Sequence, residues 1–460
     1  MNTLLKESRR AEGAALDRIA AFAAGTRVAD MPAAVVDKAR DCVLDALSAC
    51  LTAGAALEGN CAAAIGAGSR GEGESTLIGT SSMGTPSGAA FVNATNAAST
   101  SRSDTHPASA SHPGTVVIPA ALALAEARNA SGAMLIEAVV SGYETMCRLG
   151  IALVTPEFAA IFRPTGMVAP TAGAIAAGLV LALSPDRLRN AASLATHTAS
   201  GLNEWANAGT PELAFHSGFA ARNGVDAALL AEAGALSAPT ILEGKSGLLA
   251  GYGALDRAHL LTEGLGEHYK LLEIVHKPAP ACIYVQTPCQ LARQLVREHG
   301  LTADAIRSVE IKVSRPAAMY PGCDDSTPIM DAQAAKLSIQ FAVASVLVAG
   351  GISDANWREF RNAQANALAA RSSVVVDDGL TDATGRQGAG MRIVLADGKV
   401  IEGRQHAFIP MTQQDLHERF MAVAVPKLGA ERSDRVVELV KRLESLSEVR
   451  ELTRLLRLAS

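Results

Sequence analysis

Three side chains that could move a proton fall within nine residues of this sequence, namely Asp104, His106 and His112. Two prolines interrupt the same stretch, and it is predicted to form a loop because proline lacks the amide proton that a helix interior needs. Residues 117–126 follow directly, are apolar and rich in alanine, and predict a buried helix. The sequence therefore predicts catalytic side chains on a loop that a rigid helix supports.

The composition predicts a large and mainly helical protein. The chain has 460 residues, of which 49% are hydrophobic and only 4% aromatic. Alanine and leucine supply most of the apolar side chains, which favours packed helices, and the length favours two domains. The formal net charge is −5 without a long basic cluster, so a nucleic-acid partner is not expected.

Membrane spans, secretion signals and cofactor motifs are not expected either. The apolar runs are short and contain glycine, which suits buried helices better than membrane spans. The first ten residues are polar and the seven cysteines form no CxxC pair, so we expect a cytoplasmic protein with reduced thiols. The histidines are dispersed and no GxGxxG follows a strand, so neither a metal ion nor an organic cofactor is expected.

The pattern of apolar residues divides the chain into three parts. Residues 1–271 predict a helical domain, and residues 272–408 predict a smaller α+β domain. Residues 409–460 predict charged amphipathic helices that return to the first domain. The predicted fold class is therefore mainly α, with an α+β lid inserted into a helical body.

Several local elements can be placed within these parts. Pro32 is predicted to open a helix whose apolar face includes Val35, Ala39 and Val43. In the α+β part, residues 307–313 alternate as a half-buried strand and residues 330–349 predict one long helix. Asp397-Gly398 is typical of a hairpin turn between two strands, and Ser373 to Val376 is also strand-like.

A set of short motifs is scattered over most of the length of the chain. They are Asp104-Thr105-His106, His112-Pro113-Gly114, Ser141-Gly142-Tyr143-Glu144, Pro164-Thr165-Gly166, His216-Ser217-Gly218, Leu242-Glu243-Gly244, Lys277-Pro278 with Cys282, and Ala335-Lys336-Leu337-Ser338. In the number and order of these motifs the chain resembles the MmgE/PrpD family, which includes 2-methylcitrate dehydratases, cis-aconitate decarboxylases and iminodisuccinate epimerases. The resemblance implies a helical main domain, a smaller lid domain, a cleft between them and a homodimer.

The resemblance also implies which residues lie in the cleft: Asp104, Thr105, His112, Lys277 and, with a poorly aligned loop, Tyr320. Two positions depart from relatives that act on tricarboxylates. This chain has Arg163 where they carry histidine and Leu213 where they carry lysine. Arginine can bind a carboxylate through two parallel hydrogen bonds, but it does not serve as a proton donor in the way that histidine does.

The family's reactions all handle charge on a carbon next to a carboxylate, which calls for a base, an acid and positive charge. Lys277 is expected either to act as the base, if burial and nearby cations lower its pKa, or to stay charged and pair with a substrate carboxylate. His112 is expected to be the second proton-transfer group. The alternative for His112 is a structural imidazole bonded to a backbone carbonyl.

The remaining candidates have supporting roles. Asp104 is expected to orient an imidazole or accept a substrate proton, with a local turn as the alternative. Thr105 is expected to position a substrate carboxylate through its hydroxyl group, with a local turn bond as the alternative. Arg163 and Tyr320 are expected to contact the substrate, Arg163 as a clamp on a carboxylate.

These residues support three hypotheses of function. The first is a cofactor-independent epimerase that inverts a carbon next to a carboxylate in an amino polycarboxylate such as iminodisuccinate, with Lys277 and His112 on opposite faces of that carbon. The second is a hydro-lyase that dehydrates 2-methylcitrate or a related hydroxy polycarboxylate. The third is a helical protein that binds carboxylates without turnover. In all three the partner is a small polycarboxylate.

Overall fold

The computed structural model describes residues 14–54, 59–69, 73–382 and 384–458. Its first part is helical and carries one two-stranded antiparallel ribbon, β1 (Ser75–Thr76) with β2 (Met83–Gly84). The α-helices of this part are α1 (Ala15–Gly25), α2 (Ala33–Gly54), α3 (Gly59–Gly68), α4 (Pro86–Ser99), α5 (Val117–Ala127), α6 (Gly132–Leu153), α7 (Pro156–Ile161), α8 (Pro164–Val180), α9 (Pro185–Thr196), α10 (Glu204–Ala208), α11 (Leu213–Glu232) and α12 (Leu248–Gly251).

Small residues allow the inner helices of this part to approach closely. Helices α5 and α8 are buried along almost their whole length. Helix α11 crosses α8 where two glycines meet, and a Cβ on Gly224 would lie only 2.8 Å from the carbonyl carbon of Gly173. The predicted face of α2 is also confirmed, since Val35, Ala39 and Val43 are all fully buried.

The second part combines helices with a four-stranded sheet. The strands are β3 (Ile306–Val313), β4 (Ser372–Val376), β5 (Ala389–Leu395) and β6 (Val400–Gln405), in the order β4-β3-β5-β6. Strand β4 runs parallel to β3, whereas the other two pairs are antiparallel. The helices are α13 (Ile283–His299), α14 (Arg315–Met319), α15 (Ala332–Ala335), α16 (Ile339–Ala349), α17 (Ala355–Arg358) and α18 (Ala363–Ala369).

The sequence predictions for this part are confirmed in the sheet and wrong in one helix. The predicted hairpin joins β5 to β6, and Gly398 occupies the left-handed region at a φ of 89°. Residues 330–349 do not form one helix. The hydroxyl group of Ser338 accepts a hydrogen bond from the Phe341 amide and starts α16, while the carbonyl group of Lys336 turns away to accept the Cys282 amide.

The last part consists of α19 (Gln413–Leu428), α20 (Ala430–Lys441) and α21 (Arg450–Leu455). Arg419 of α19 forms an ion pair with Asp45 of α2, and Lys427 donates a hydrogen bond to the carbonyl group of Leu51. The fold is thus mainly α with a smaller α+β region, as expected. The domain boundaries at residues 271 and 408 stay a prediction. No helix in the described ranges is long and apolar enough to cross a membrane.

Candidate active site

The loop that carries His112 is joined to the segment that carries Lys277 by backbone hydrogen bonds. The loop turns twice through short 3-10 helices, Pro107–Ser109 and Pro113–Thr115, each beginning at a proline. Between the helical body and the α+β part, Thr105 and Val275 donate to each other's carbonyl groups at N–O distances of 2.9 Å. The two predicted proton-transfer residues, His112 and Lys277, therefore lie on chain segments that are joined by backbone hydrogen bonds.

Four of the six predicted site residues line one cavity: His112, Arg163, Lys277 and Tyr320. The space between its lining side chains amounts to about 450 Å³, with the solvent at its mouth included. The loop, the N-terminal ends of α8 and α11, helix α15 and the residues that directly follow α15 all contribute to the wall.

His112 is held as a neutral imidazole. Its Nδ1 atom lies 2.9 Å from the carbonyl oxygen of Asp104 and 3.1 Å from the hydroxyl group of Thr105. A carbonyl oxygen only accepts hydrogen bonds, so Nδ1 carries the proton and Nε2 carries the lone pair. Burial, followed by the charges of Lys277 and Arg163, holds the pKa of His112 well below its ordinary value. The group can therefore accept a proton at neutral pH.

Lys277 is only 2% exposed, and its Nζ atom donates a hydrogen bond to the carbonyl oxygen of Ala281 at 3.2 Å. Burial lowers the pKa of Lys277 to about 8; the negative charge of the Cys282 thiolate opposes this shift, and the positive charge of Arg163 adds to it. Because this value lies above pH 7, most of the lysine carries its proton at neutral pH. Lys277 is thus an easily deprotonated ammonium group that faces the same cavity as a neutral imidazole.

Arg163 supplies a second positive charge to the cavity. It is the N-cap residue of α8, its side chain is 8% exposed, and its Nη1 atom donates to the hydroxyl group of Tyr320 at 3.2 Å. Its guanidinium carbon lies 5.9 Å from the ring centre of Trp205. The Nε atom has no hydrogen-bond partner among the described residues. A buried donor left open in this way is suited to an anionic ligand.

Asp104 does not use its carboxylate to orient an imidazole, which corrects the expectation from the sequence. Its two oxygens accept hydrogen bonds from the hydroxyl group of Tyr143 at 2.6 Å and from the amide of Gly114 at 2.9 Å. The carboxylate lies behind the cavity wall, where burial and the charge of Asp45 raise its pKa. Only the backbone carbonyl of Asp104 contacts His112.

Thr105 also differs from its predicted role. It is fully buried, and its hydroxyl group contacts His112 Nδ1 and the carbonyl oxygen of Ser103 instead of lining the cavity. The hydroxyl group therefore holds the imidazole and is not placed to bind a substrate carboxylate. The local bond to Ser103 was the alternative that the sequence left open.

Sequence reasoning missed one charged residue of the site, Lys336, because the residue was assigned to the interior of a long helix. Helix α15 ends directly before Lys336. The lysine side chain reaches the cavity wall, and its Nζ atom lies 3.4 Å from the carbonyl oxygen of Ser99. Leu213 and Cys282 line the cavity as well, so the lysine-to-leucine departure falls within the site. No group of three or more potential metal ligands is found among the described residues.

Comparison with known proteins gives consistent matches. The sequence model of the MmgE/PrpD N-terminal domain matches residues 17–259, and that of the MmgE/PrpD C-terminal domain matches residues 279–445. The human cis-aconitate decarboxylase is 28% identical over 81% of this chain and 79% of its own length. The cis-aconitate decarboxylase of Aspergillus terreus is 25% identical over 81% of each chain. The cis-aconitate decarboxylase-like protein oryM of Aspergillus oryzae is 25% identical over 93% of this chain and 94% of its own.

Proposed function

The chain belongs to the MmgE/PrpD family, and on that premise we propose that it is a lyase that eliminates water from a small hydroxy polycarboxylate. The observation that carries the proposal is the pairing, in one cavity, of a neutral imidazole and a buried ammonium group beside Arg163. Elimination of water needs a base, an acid and positive charge against a carboxylate. His112, Lys277 and Arg163 meet these three needs.

The proposed step begins with a substrate carboxylate bound by the guanidinium group of Arg163. His112 Nε2 takes a proton from the carbon next to that carboxylate, and the electron pair left on carbon spreads onto the carboxylate oxygens. This pair then forms the double bond, while the hydroxyl group on the next carbon leaves with the proton of Lys277 as water. The products are water and an alkene conjugated to a carboxylate.

The sequence left two roles open for Lys277, a base with a lowered pKa or a charged group that pairs with a substrate carboxylate, and made His112 the second proton-transfer group. The proposed roles follow the charged alternative for Lys277 and give its proton to the leaving hydroxyl group. With a pKa of about 8, Lys277 is mostly protonated at neutral pH, and a bound anion would favour the protonated form further. The pKa of His112 is held far enough down to keep its lone pair free. The ammonium group is therefore the acid and the imidazole is the base.

Decarboxylation is a second candidate, because the relatives reported above are named for that reaction. In that case the bond to one carboxylate carbon breaks, carbon dioxide leaves, and the carbon that keeps the electron pair takes the proton of Lys277. The chain departs from tricarboxylate-acting relatives at Arg163 and Leu213, both of which line the cavity. The positive charge lost at position 213 is offset by the permanent charge of Arg163, so the two departures move a cation within the cavity instead of removing one.

Epimerisation, the first hypothesis from the sequence, uses the same acid and base on opposite faces of one carbon. Its support lies in the altered residues Arg163 and Leu213, whereas the names of the relatives support a lyase. One experiment separates the candidates: purified protein is incubated in deuterium oxide with hydroxy polycarboxylates, cis-aconitate and iminodisuccinate, and is followed by proton NMR. New vinyl signals with every carboxylate retained support the proposal.

The other outcomes of that experiment contradict the proposal. Vinyl signals with loss of a carboxylate indicate decarboxylation, and deuterium uptake without net conversion indicates epimerisation. Lys277→Met should abolish turnover of any active substrate, whereas Lys312→Met, at a half-exposed lysine of β3 that pairs with Glu310, should leave it unchanged. Binding of the same compounds without any turnover in the wild type would instead support the third hypothesis, a carboxylate-binding protein.

A further inference from the structure

Cys282 combines two positions that favour a reactive thiolate. It is the N-cap residue of α13, a helix of 17 residues. It also lines the cavity together with Lys277 and Arg163. Helix N-termini and neighbouring cations both stabilise a thiolate over a thiol.

A second cysteine completes the environment. The side chain of Cys323, fully buried behind the wall, donates a hydrogen bond to Cys282. This bond, with the Tyr284 amide and the two cations, outweighs burial and lowers the pKa of Cys282 to about 7. Cys289 lies on the same helix, and burial alone raises the pKa of its thiol. Helix α13 therefore carries one activated and one inert cysteine.

An independent observation indicates that the cavity takes anions. The side chain of Arg163 is more than nine-tenths buried, lines the same wall, and leaves Nε without a partner among the described residues. A small carboxylate held there would lie in the cavity that Cys282 also lines. An electrophile with a carboxylate would thus be concentrated at this thiol, whereas a neutral electrophile would not.

We propose that Cys282 is a covalent modification site for conjugated unsaturated carboxylates that enter this cavity. The inference deepens the proposed function, since the alkene product of that reaction belongs to this class. The sulfur adds to the alkene carbon β to the carboxylate, so that a sulfur–carbon bond forms and the π bond breaks. The electron pair moves to the α carbon, which takes a proton from Lys277. The net change is addition of S–H across the double bond, and no oxidant is needed.

The adduct would fill the cavity and stop turnover. A test that does not depend on the natural substrate compares two probes on the full-length protein: monomethyl fumarate, which carries one carboxylate, and dimethyl fumarate, which is neutral. Labelling is followed by peptide mass spectrometry, and glutathione serves as the reference thiol. The ratio of the rates for the anionic and neutral probes should be about tenfold or more higher at Cys282 than at glutathione, because the cations concentrate the anion.

Variants assign this selectivity to the residues that produce it. Cys282→Ala should remove the label, and Cys289→Ser should leave the labelling of Cys282 as in the wild type. Arg163→Gln should lower the ratio toward that of glutathione while dimethyl fumarate still reacts. Circular dichroism shows whether each variant is folded, and the wild-type ratio tests the inference even if a variant is not.

Two results would overturn the inference: labelling confined to other cysteines, or a ratio at Cys282 no higher than that of glutathione. Its failure is distinguishable from failure of the proposed function, since labelling requires no turnover. A protein that is labelled selectively at Cys282 but eliminates no water in the NMR assay keeps the modification site and contradicts the lyase proposal. A protein that has lyase activity but shows no selective labelling supports the lyase proposal and contradicts the modification site.

Discussion

Thr105 and Val275 exchange two backbone hydrogen bonds of 2.9 Å, and this short bridge connects the two sides of the proposed chemistry. Thr105 also contacts the imidazole of His112 through its side chain, while Val275 lies two residues before Lys277. The distance between His112, the proposed base, and Lys277, the proposed acid, is therefore constrained by hydrogen bonds of the main chain. Such rigid placement is what proton transfer requires.

Replacing Thr105 by valine tests whether its hydroxyl group positions the base. Thr105→Val keeps the backbone bridge and the shape of the side chain but removes the contact to His112 Nδ1. We expect kcat to fall about tenfold with KM nearly unchanged, because a bond that orients a catalytic group is lost and substrate binding is not. Steady-state kinetics measure both, and Thr105→Ser should restore the rate. A rise in KM with unchanged kcat would instead support the original prediction of a substrate contact.

Arg163→Gln tests the anion clamp. Hydrogen bonds to charged groups are worth about 1.5–3 kcal/mol, so KM for a polycarboxylate should rise about 10- to 150-fold. Arg315→Gln is a matched control, because that arginine is exposed and pairs with Asp378 at the surface. Its kinetics should equal those of the wild type. Equal KM values for Arg163→Gln and the wild type would show that the substrate carboxylate binds elsewhere.

Tyr143→Phe tests the new role of Asp104 as a buried structural carboxylate. The carboxylate of Asp104 accepts two hydrogen bonds, one from the tyrosine hydroxyl group and one from the Gly114 amide. Removal of the hydroxyl group should therefore lower the free energy of unfolding by about 1–3 kcal/mol. Urea denaturation measures the change. Tyr252→Phe, at a partly exposed ring, should change stability by less than about 0.5 kcal/mol. No difference between the two variants would contradict the assignment.

The sequence predicted the elements whose pattern is local. The apolar face of α2, the alternation in β3 and the glycine turn between β5 and β6 all depend on residues close in the chain. The cavity residues came from the family resemblance together with the chemistry of lysine, histidine and arginine. The structure places four of these six residues in one wall.

The remaining features depend on contacts that the sequence does not show. Tyr143 lies 39 residues from Asp104, and its hydroxyl group donates a hydrogen bond to the carboxylate that was expected to orient an imidazole. The break before α16 depends on Cys282, whose amide binds the Lys336 carbonyl from another segment. The lowered pKa of Lys277 results from burial and from the nearby charge of Arg163, and both arise only when the chain is folded.

The most direct test of the account is the pH dependence of kcat/KM between pH 6.5 and 10 with the best substrate from the NMR panel. Lys277 must carry a proton to act as the acid, and its pKa is about 8. His112 stays neutral over the whole range because its pKa is well below 6.5. We therefore expect a level rate at the lower end and a loss above pH 8 that approaches tenfold per pH unit. A rate that rises through pH 8 to a plateau would show that neutral Lys277 is the base, and would contradict the proposed roles.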